Sequence, residues 1–296
     1  MELTELFVDV DDFCICYKRF FDQRCLPSAT PKRGRRCMIQ TSEIIALEII
    51  ALVVWFHHQR YQNFEAYYKQ HVLVYMRKDF PQLPSYSRFI ELAQEVIEPL
   101  RLFFHLCRCT VSQEVSFIDS LPLPVCHNRR INKHRVFTDC AGRSKSSMGW
   151  YYGFKLHAII TPQGEFVSCT LSSANIPDSN PDIVQELSQS GTLRQRVYGL
   201  LVGDRGYLST PLTASLAEHG IRLLTNIKKN MKPKLIAHKH HVLLKKRMLI
   251  ECCFDLLANS MVIRHSRYRS MKSFIMTVFA GLIAYSYMTH KPSITV

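Results

Sequence analysis

The chain has 296 residues, 47% of them apolar, and carries 38 Lys and Arg against 24 Asp and Glu, a formal charge of +14. That apolar content is ample for a packed core and the length leaves room for two domains. The acidic start MELTELFVDVDD is no secretion signal, and the longest apolar stretch, residues 44–56, is interrupted by Glu48 and too short to span a bilayer. A soluble protein in the cytoplasm is therefore expected. The 11 cysteines include no C-x-x-C, so reduced thiols packed mostly as small hydrophobes are expected rather than zinc or disulfides.

In chain order, residues 1–40 form an N-terminal segment ending in PSATPKRGRRCM, a basic linker or arm with the turn residues of a hinge. Residues 41–110 read as a small all-α domain. Ile44, Leu47, Ile50 or Ala51 and Val54 recur at helical spacing, with Thr41 or Ser42 as cap, and a second long helix follows Ser85. The stretch SYSRFIELA, with Tyr86 and Arg88, fits either a helix-turn-helix reading DNA ends or a scaffold or dimerisation bundle.

From residue 111 to 296 the pattern changes to strands. SFIDSLPLPV, WYYGFKLHAIITP and EFVSCTLSS come first, the last two joined as an antiparallel hairpin through PQGE. NPDIVQELSQSG and STPLTASLAEHG read as helices around the buried strand VYGLLVGD; IRLLTNIK is a fifth strand, and a long helical stretch then contains Glu251. The order β-β-β-α-β-α-β-α predicts an α/β domain with a mixed five-stranded sheet flanked by helices.

The charge is unevenly divided. Residues 1–110 hold 14 basic and 13 acidic side chains, residues 111–296 hold 24 and 11, so nearly all the positive field lies in the second segment and points to a polyanion such as nucleic acid. Within this basic half, Asp119, Asp204 and Glu251 fall in two apolar strands and a core helix, where lone carboxylates are costly unless paired or bound to a cation. Asp204 ends its strand, where open α/β sheets build their sites. Three carboxylates suit two divalent ions, and hard oxygen ligands select Mg²⁺ or Mn²⁺ over zinc.

Other acids compete. Asp255 lies one turn beyond Glu251, and Asp139, Asp178 and Asp182 sit in loops where solvation or capping is the expected role; the cluster Asp9, Asp11 and Asp12 is expected in a solvated turn. Lys155 and His157 share one strand face and are expected to touch DNA phosphates. A basic strip containing Lys228, Lys229, Lys245 and Lys246, joined by Arg264, Arg267 and Arg269, is expected to track the backbone, whereas zinc binding at His238, His240 and His241 would need further ligands. Tyr268 is open between base stacking and core packing.

FIDS at Asp119, YYGFKLH, GDRGY at Asp204, NIKKNM, KKRMLIE with Arg247 four residues before Glu251, and the closing HSRYRS and AGLIAYS together resemble the DDE transposases of bacterial insertion sequences, members of the RNase H-like integrase superfamily. The match spans residues 111–290 closely and the N-terminal helical segment more loosely. Where one large group of that family has Tyr seven residues before the Glu and Lys seven after, this chain has Leu244 and Ala258.

The resemblance implies an RNase H-like catalytic domain in a bacterial, nucleoid-associated enzyme that cleaves DNA at insertion-sequence ends and transfers the 3′-hydroxyl into target DNA. It implies two Mg²⁺ (or Mn²⁺) ions held by Asp119, Asp204 and Glu251, with Arg205 and Arg247 among the DNA-binding side chains. The partners it implies are double-stranded DNA, as terminal inverted repeats and target, and a second copy of the chain in a synaptic dimer. An RNase H-like nuclease without strand transfer and a non-catalytic, transposase-derived DNA-binding protein are the alternatives.

Overall fold

The computed structural model describes residues 2–22, 43–59, 61–146, 149–189, 197–226, 237–264 and 268–295. The chain forms two compact units: Met1–Cys107 with Lys272–Tyr287, and Arg108–Met271 with Met288–Val296.

The first unit is helical. The expected basic linker, residues 27–38, lies outside the described residues; ahead of it Leu3–Asp22 is a continuous helix whose Leu6, Val10 and Phe13 are buried, and Asp9, Asp11 and Asp12 lie in that helix rather than in a turn. Asp9 accepts the Tyr287 hydroxyl at 2.5 Å. The helix Glu43–His58 is buried all round from Leu47 to Val54, as an element without a polar face must be, so its apolar residues form a unit centre and not a single stripe. Among the described residues no helix is long and apolar enough to cross a membrane.

The second long helix expected after Ser85 is two, Tyr86–Ala93 and Ile97–Phe103. Pro99 explains the interruption: it has no N–H to bond back to Glu95, and its ring crowds the preceding turn. Aromatic contacts stitch the unit together, with Tyr68 against Phe89 (4.6 Å between ring centres), Phe13 against Phe103 (5.3 Å) and Phe104 against Phe279 (5.9 Å). The last of these belongs to the helix Met271–Ser286, which the sequence places with the catalytic domain and the fold returns to the helical unit.

The second unit is built on one mixed sheet flanked by helices. Its strands are β1 (Val115–Cys126), β2 (Gly142–Ser146), β3 (Gly149–Ile160), β4 (Phe166–Ser173), β5 (Gly199–Gly203) and β6 (Ile221–Thr225). β1 lies between antiparallel β3 and parallel β5, and β6 continues the parallel side. The expected hairpin is β3–β4, turning at Gly164 with φ 71°. The strand missed in sequence, β2, pairs with the start of β3 along the edge that β4 shares farther on. Its sequence GRSKS has no apolar alternation by which to recognise it.

The helices Pro181–Gln189 and Thr210–Glu218 cover one face of this sheet. Val184, Leu187, Leu212 and Leu216 from them close over Ile118, Ile159, Val167 and Leu201. The helix Met248–Asp255 packs across β1. Among the described cysteines all are free, with Cys14, Cys126, Cys169 and Cys253 buried but Cys16, Cys107, Cys140 and Cys252 exposed.

Candidate active site

The parallel register of β1 and β5 sets Val115 opposite Leu200 and Ile118 opposite Gly203. Asp119 and Asp204 are the next residue on each strand, and Asp204 keeps an extended backbone (φ −74°, ψ 168°) before the chain turns into Arg205–Tyr207. Two carboxylates separated by 85 positions in sequence thus become neighbours at adjacent strands, where spacing is about 4.8 Å. Gly203 makes the close turn possible. A Cβ there would come 3.0 Å from Ile118 Cγ2 and 3.3 Å from Tyr207 Cδ2.

Side chains alternate across a strand, so Asp119 faces away from the core that holds Ile118 and towards the helix carrying Glu251. Asp119 is 19% exposed. Burial pushes its carboxyl up to about 6, against the pull of Arg247 and of the Ser120 N–H, which it accepts at 2.8 Å; Asp178 and Asp204 add to the rise.

Arg247 stands at the break between the helices His238–Lys246 and Met248–Asp255. Its Nη1 donates to Asp119 Oδ2 and its Nη2 to Glu251 Oε1 at 2.6 Å, one guanidinium bridging two of the three expected acids. Burial pulls its pKa down, but Asp119 and Glu251 outweigh that and the net displacement is upward. Glu251 is 52% exposed and reaches Asp119 only through this arginine. Asp255 turns to Asn259 instead, accepting from Nδ2 at 2.6 Å. Leu244 and Ala258 are buried, so the two positions at which this chain departs from the family signature are packing positions here.

Asp178, assigned from sequence to a solvated loop, faces the site. Its Oδ1 accepts from Ser120 Oγ at 2.9 Å and from Lys155 Nζ at 3.0 Å, and a Cβ on Gly206, in the turn after Asp204, would lie 3.8 Å from its Oδ2. The only sequence signal for this was its position in a loop after the hairpin, which fixes no contact. Tyr207 lies beneath the acids. Its hydroxyl is buried with no hydrogen-bond partner among the described residues, and burial, with Asp119, Asp178 and Asp204, drives its pKa well above the ordinary phenol value.

The expected DNA-facing residues divide into four groups. Arg205, Lys245 and Arg269 are exposed. Lys246, Arg247 and Arg264 are engaged internally: Lys246 donates to the Thr295 carbonyl, Arg247 bridges the acids, and Arg264 donates to the Pro122 carbonyl from Nε (3.2 Å) and Nη2 (2.9 Å). Lys155 and His157 are corrected. Lys155 is 11% exposed and held by Asp178 and the Ile176 carbonyl, and His157 is 0% exposed with Nε2 at 2.8 Å from Ser172 Oγ, because their strand face is the one covered by helices. Lys228, Lys229 and Arg267 lie outside the described residues. Tyr268 is buried and its hydroxyl donates to the Ile263 carbonyl at 2.6 Å, a packing role.

Among the described residues no three His, Cys, Asp or Glu side chains lie close enough together to hold a metal ion. The Asp119–Asp204 pair nonetheless has the chemistry of a cation site: hard oxygen donors, adjacent in register, one of them buried against the charge of the other. At Asp119 and Glu251 a cation is already in place, the guanidinium of Arg247.

The family described as "Transposase DDE domain" matches residues 109–271, more than half of the chain. No curated protein matches significantly. Among solved structures, a cryo-EM structure of a piggyBac transposase synaptic complex with hairpin DNA aligns with a TM-score of 0.47 at 14% identity, over 95% of this chain and 71% of that one.

Proposed function

The chain belongs to the transposases that carry a DDE domain, and on that premise we propose that it hydrolyses a phosphodiester at the end of an insertion sequence and joins the freed 3′-hydroxyl to target DNA. The observation that carries this reading is the register of β1 and β5, which sets Asp119 beside Asp204 at the end of the sheet while the Glu251 helix crosses β1.

In this reading Asp119 and Asp204 are the primary ligands of Mg²⁺ or Mn²⁺, and Glu251 joins them when Arg247 releases it. Bound there, two such ions would neutralise charge at the phosphate and raise the acidity of a water or 3′-hydroxyl. The chain's own part is positioning. Ser120 N–H orients the Asp119 carboxylate, the Asp178–Lys155 pair braces the adjoining loop, and Arg247 keeps the acids from repelling one another until the cation arrives. Exposed Arg205, Lys245 and Arg269 supply backbone contacts, and two copies of the chain pair two element ends. For the helical unit, end binding through Tyr86 and Arg88 and a scaffold or dimerisation role both fit the helix Tyr86–Ala93.

The test uses purified protein with Mg²⁺, a labelled duplex copied from the inverted repeat flanking the gene, and supercoiled plasmid. Joined product is expected, lost in Asp119→Asn, Asp204→Asn and Glu251→Gln with DNA binding retained. Full joining in any one variant removes that residue from the site. Cleavage without joining favours a nuclease, and binding without either favours a non-catalytic derivative.

A further inference from the structure

At the far end of β1 from Asp119, the strand passes at Cys126 into the 3-10 turn Asn128–Lys133, and Tyr268 and Arg269 come alongside to enclose a cavity of about 470 Å³. Its walls bring together Arg130, Lys133 and Arg269, with His134, and include no Asp or Glu among the described residues. None of the three strong cations has an ion pair among the described residues. Like charges converging on a concave wall without a counter-charge make a focused positive potential. The volume lies within the roughly 300–1,000 Å³ typical of ligand sites.

The walls are built rather than incidental. Tyr268 is buried and tied to the Ile263 carbonyl at 2.6 Å. His134 stacks on Phe137 at 5.5 Å and 21°. The cavity therefore combines a buried aromatic wall with three exposed cations that have no ion pair among the described residues.

We propose that this cavity is an anion subsite that takes a backbone phosphate of the bound DNA on Arg130, Lys133 and Arg269. The proposal rests on the DNA-joining reading above. Seven positions of β1 separate Cys126 from Asp119, about 23 Å at the rise of a strand, so the phosphate held here is not the reacting one. It flanks the cut and fixes how far the duplex is advanced over the acids, a positioning contact without base information. Inorganic phosphate or a free nucleotide offers the same chemistry, and the experiment separates these sources.

The full chain is titrated against a fluorescent duplex by anisotropy at a series of salt concentrations. The Arg130→Gln/Lys133→Gln/Arg269→Gln variant is expected to bind several-fold more weakly and to lower the slope of log K against log salt by about one, the signature of one lost phosphate contact. Lys133→Gln alone, at an exposed position that packs nothing, changes in the same direction and serves if the triple variant fails to fold. Unchanged affinity and slope in a folded variant overturn the subsite and remove Arg269 from the backbone contacts, while the DNA-joining reading at the acids stands; wild-type protein that binds no duplex overturns both. Calorimetry with inorganic phosphate and pyrophosphate completes the test. Binding of either anion that the triple variant abolishes, with the DNA slope unchanged, assigns the cavity to a free anion and overturns the proposal.

Discussion

One guanidinium, that of Arg247, donates to Asp119 from one nitrogen and to Glu251 from the other, the latter at 2.6 Å. The acid on β1 and the acid on the helix thus share a cation that the chain itself supplies. This internal cation offsets the repulsion of the two acids, and in the reading proposed above it gives way when Glu251 joins an ion beside Asp119.

Removing it separates the two effects. Arg247→Ala is expected to destabilise the metal-free protein by roughly 1–3 kcal/mol, the range for charge-assisted hydrogen bonds at a half-buried site. Mg²⁺ then raises the melting temperature of the variant more than that of the wild type, because the incoming ion no longer competes with a guanidinium. Thermal melting with and without Mg²⁺ measures both, and equal shifts would show that Arg247 and the ion do not share a place.

Gly203 controls the approach of the Asp204 turn to β1. Gly203→Ala places a methyl 3.0 Å from Ile118 Cγ2 and 3.3 Å from Tyr207 Cδ2, within a core that has little room to yield. A loss of about 1–3 kcal/mol in urea unfolding is expected, together with a fall in DNA cleavage because the strain falls one residue from Asp204. Wild-type stability would mean that Tyr207 moves freely.

The Lys155–Asp178 pair invites a double-mutant cycle. Asp178→Ala leaves a lysine that is 11% exposed without its carboxylate and is expected to cost roughly 1–3 kcal/mol, while Lys155→Met with Asp178→Ala recovers part of that loss. Additive effects in denaturant unfolding would show that the pair does not act as a unit.

His157 sets an acid limit on stability. Burial lowers its pKa to about 4, with Asp178 pulling up and Lys155 pushing down, whereas the unfolded residue titrates near 6.5. As pH falls from 6.5 towards 4 the unfolded chain takes up a proton that the folded chain refuses, so stability is lost across that window, by up to about 3 kcal/mol. Asp119 works in the opposite sense, since its folded pKa is raised to about 6 and its proton uptake favours the folded state as pH falls below that value. Comparing wild type with His157→Gln at pH 7, 5.5 and about 4.5 isolates the histidine. Parallel pH profiles for the two proteins would contradict its neutral burial.

Much of the sheet unit is legible in the sequence because local chemistry specifies it. Alternating apolar residues mark β3 and β4, Gly164 marks their turn, and an apolar run closed by Asp204 marks β5. The strand β2 and the break before Pro99 are harder to read, the first because GRSKS carries no periodic signal, the second because a proline in the first turn of a helix is compatible with either one helix or two. Leu3–Asp22 and Met271–Ser286 read correctly as helix-forming composition only once the helical unit they pack into is known.

For the site, the sequence marks which carboxylates interrupt apolar stretches, namely Asp119, Asp204 and Glu251; the fold makes an unpaired charge costly at Asp119, which is 19% exposed, and not at Glu251, which is 52% exposed on the outer side of its helix. Tertiary structure alone decided how they meet. Strand register, a property of pairing between segments far apart in the chain, puts Asp119 beside Asp204, and the face alternation of β3 turns Lys155 and His157 inward, under the helices that cover that face. The same packing draws Asp178 from its loop to Ser120 and Lys155 and lays Arg247 between two acids 132 positions apart, contacts with no local sequence signal because no local interaction produces them.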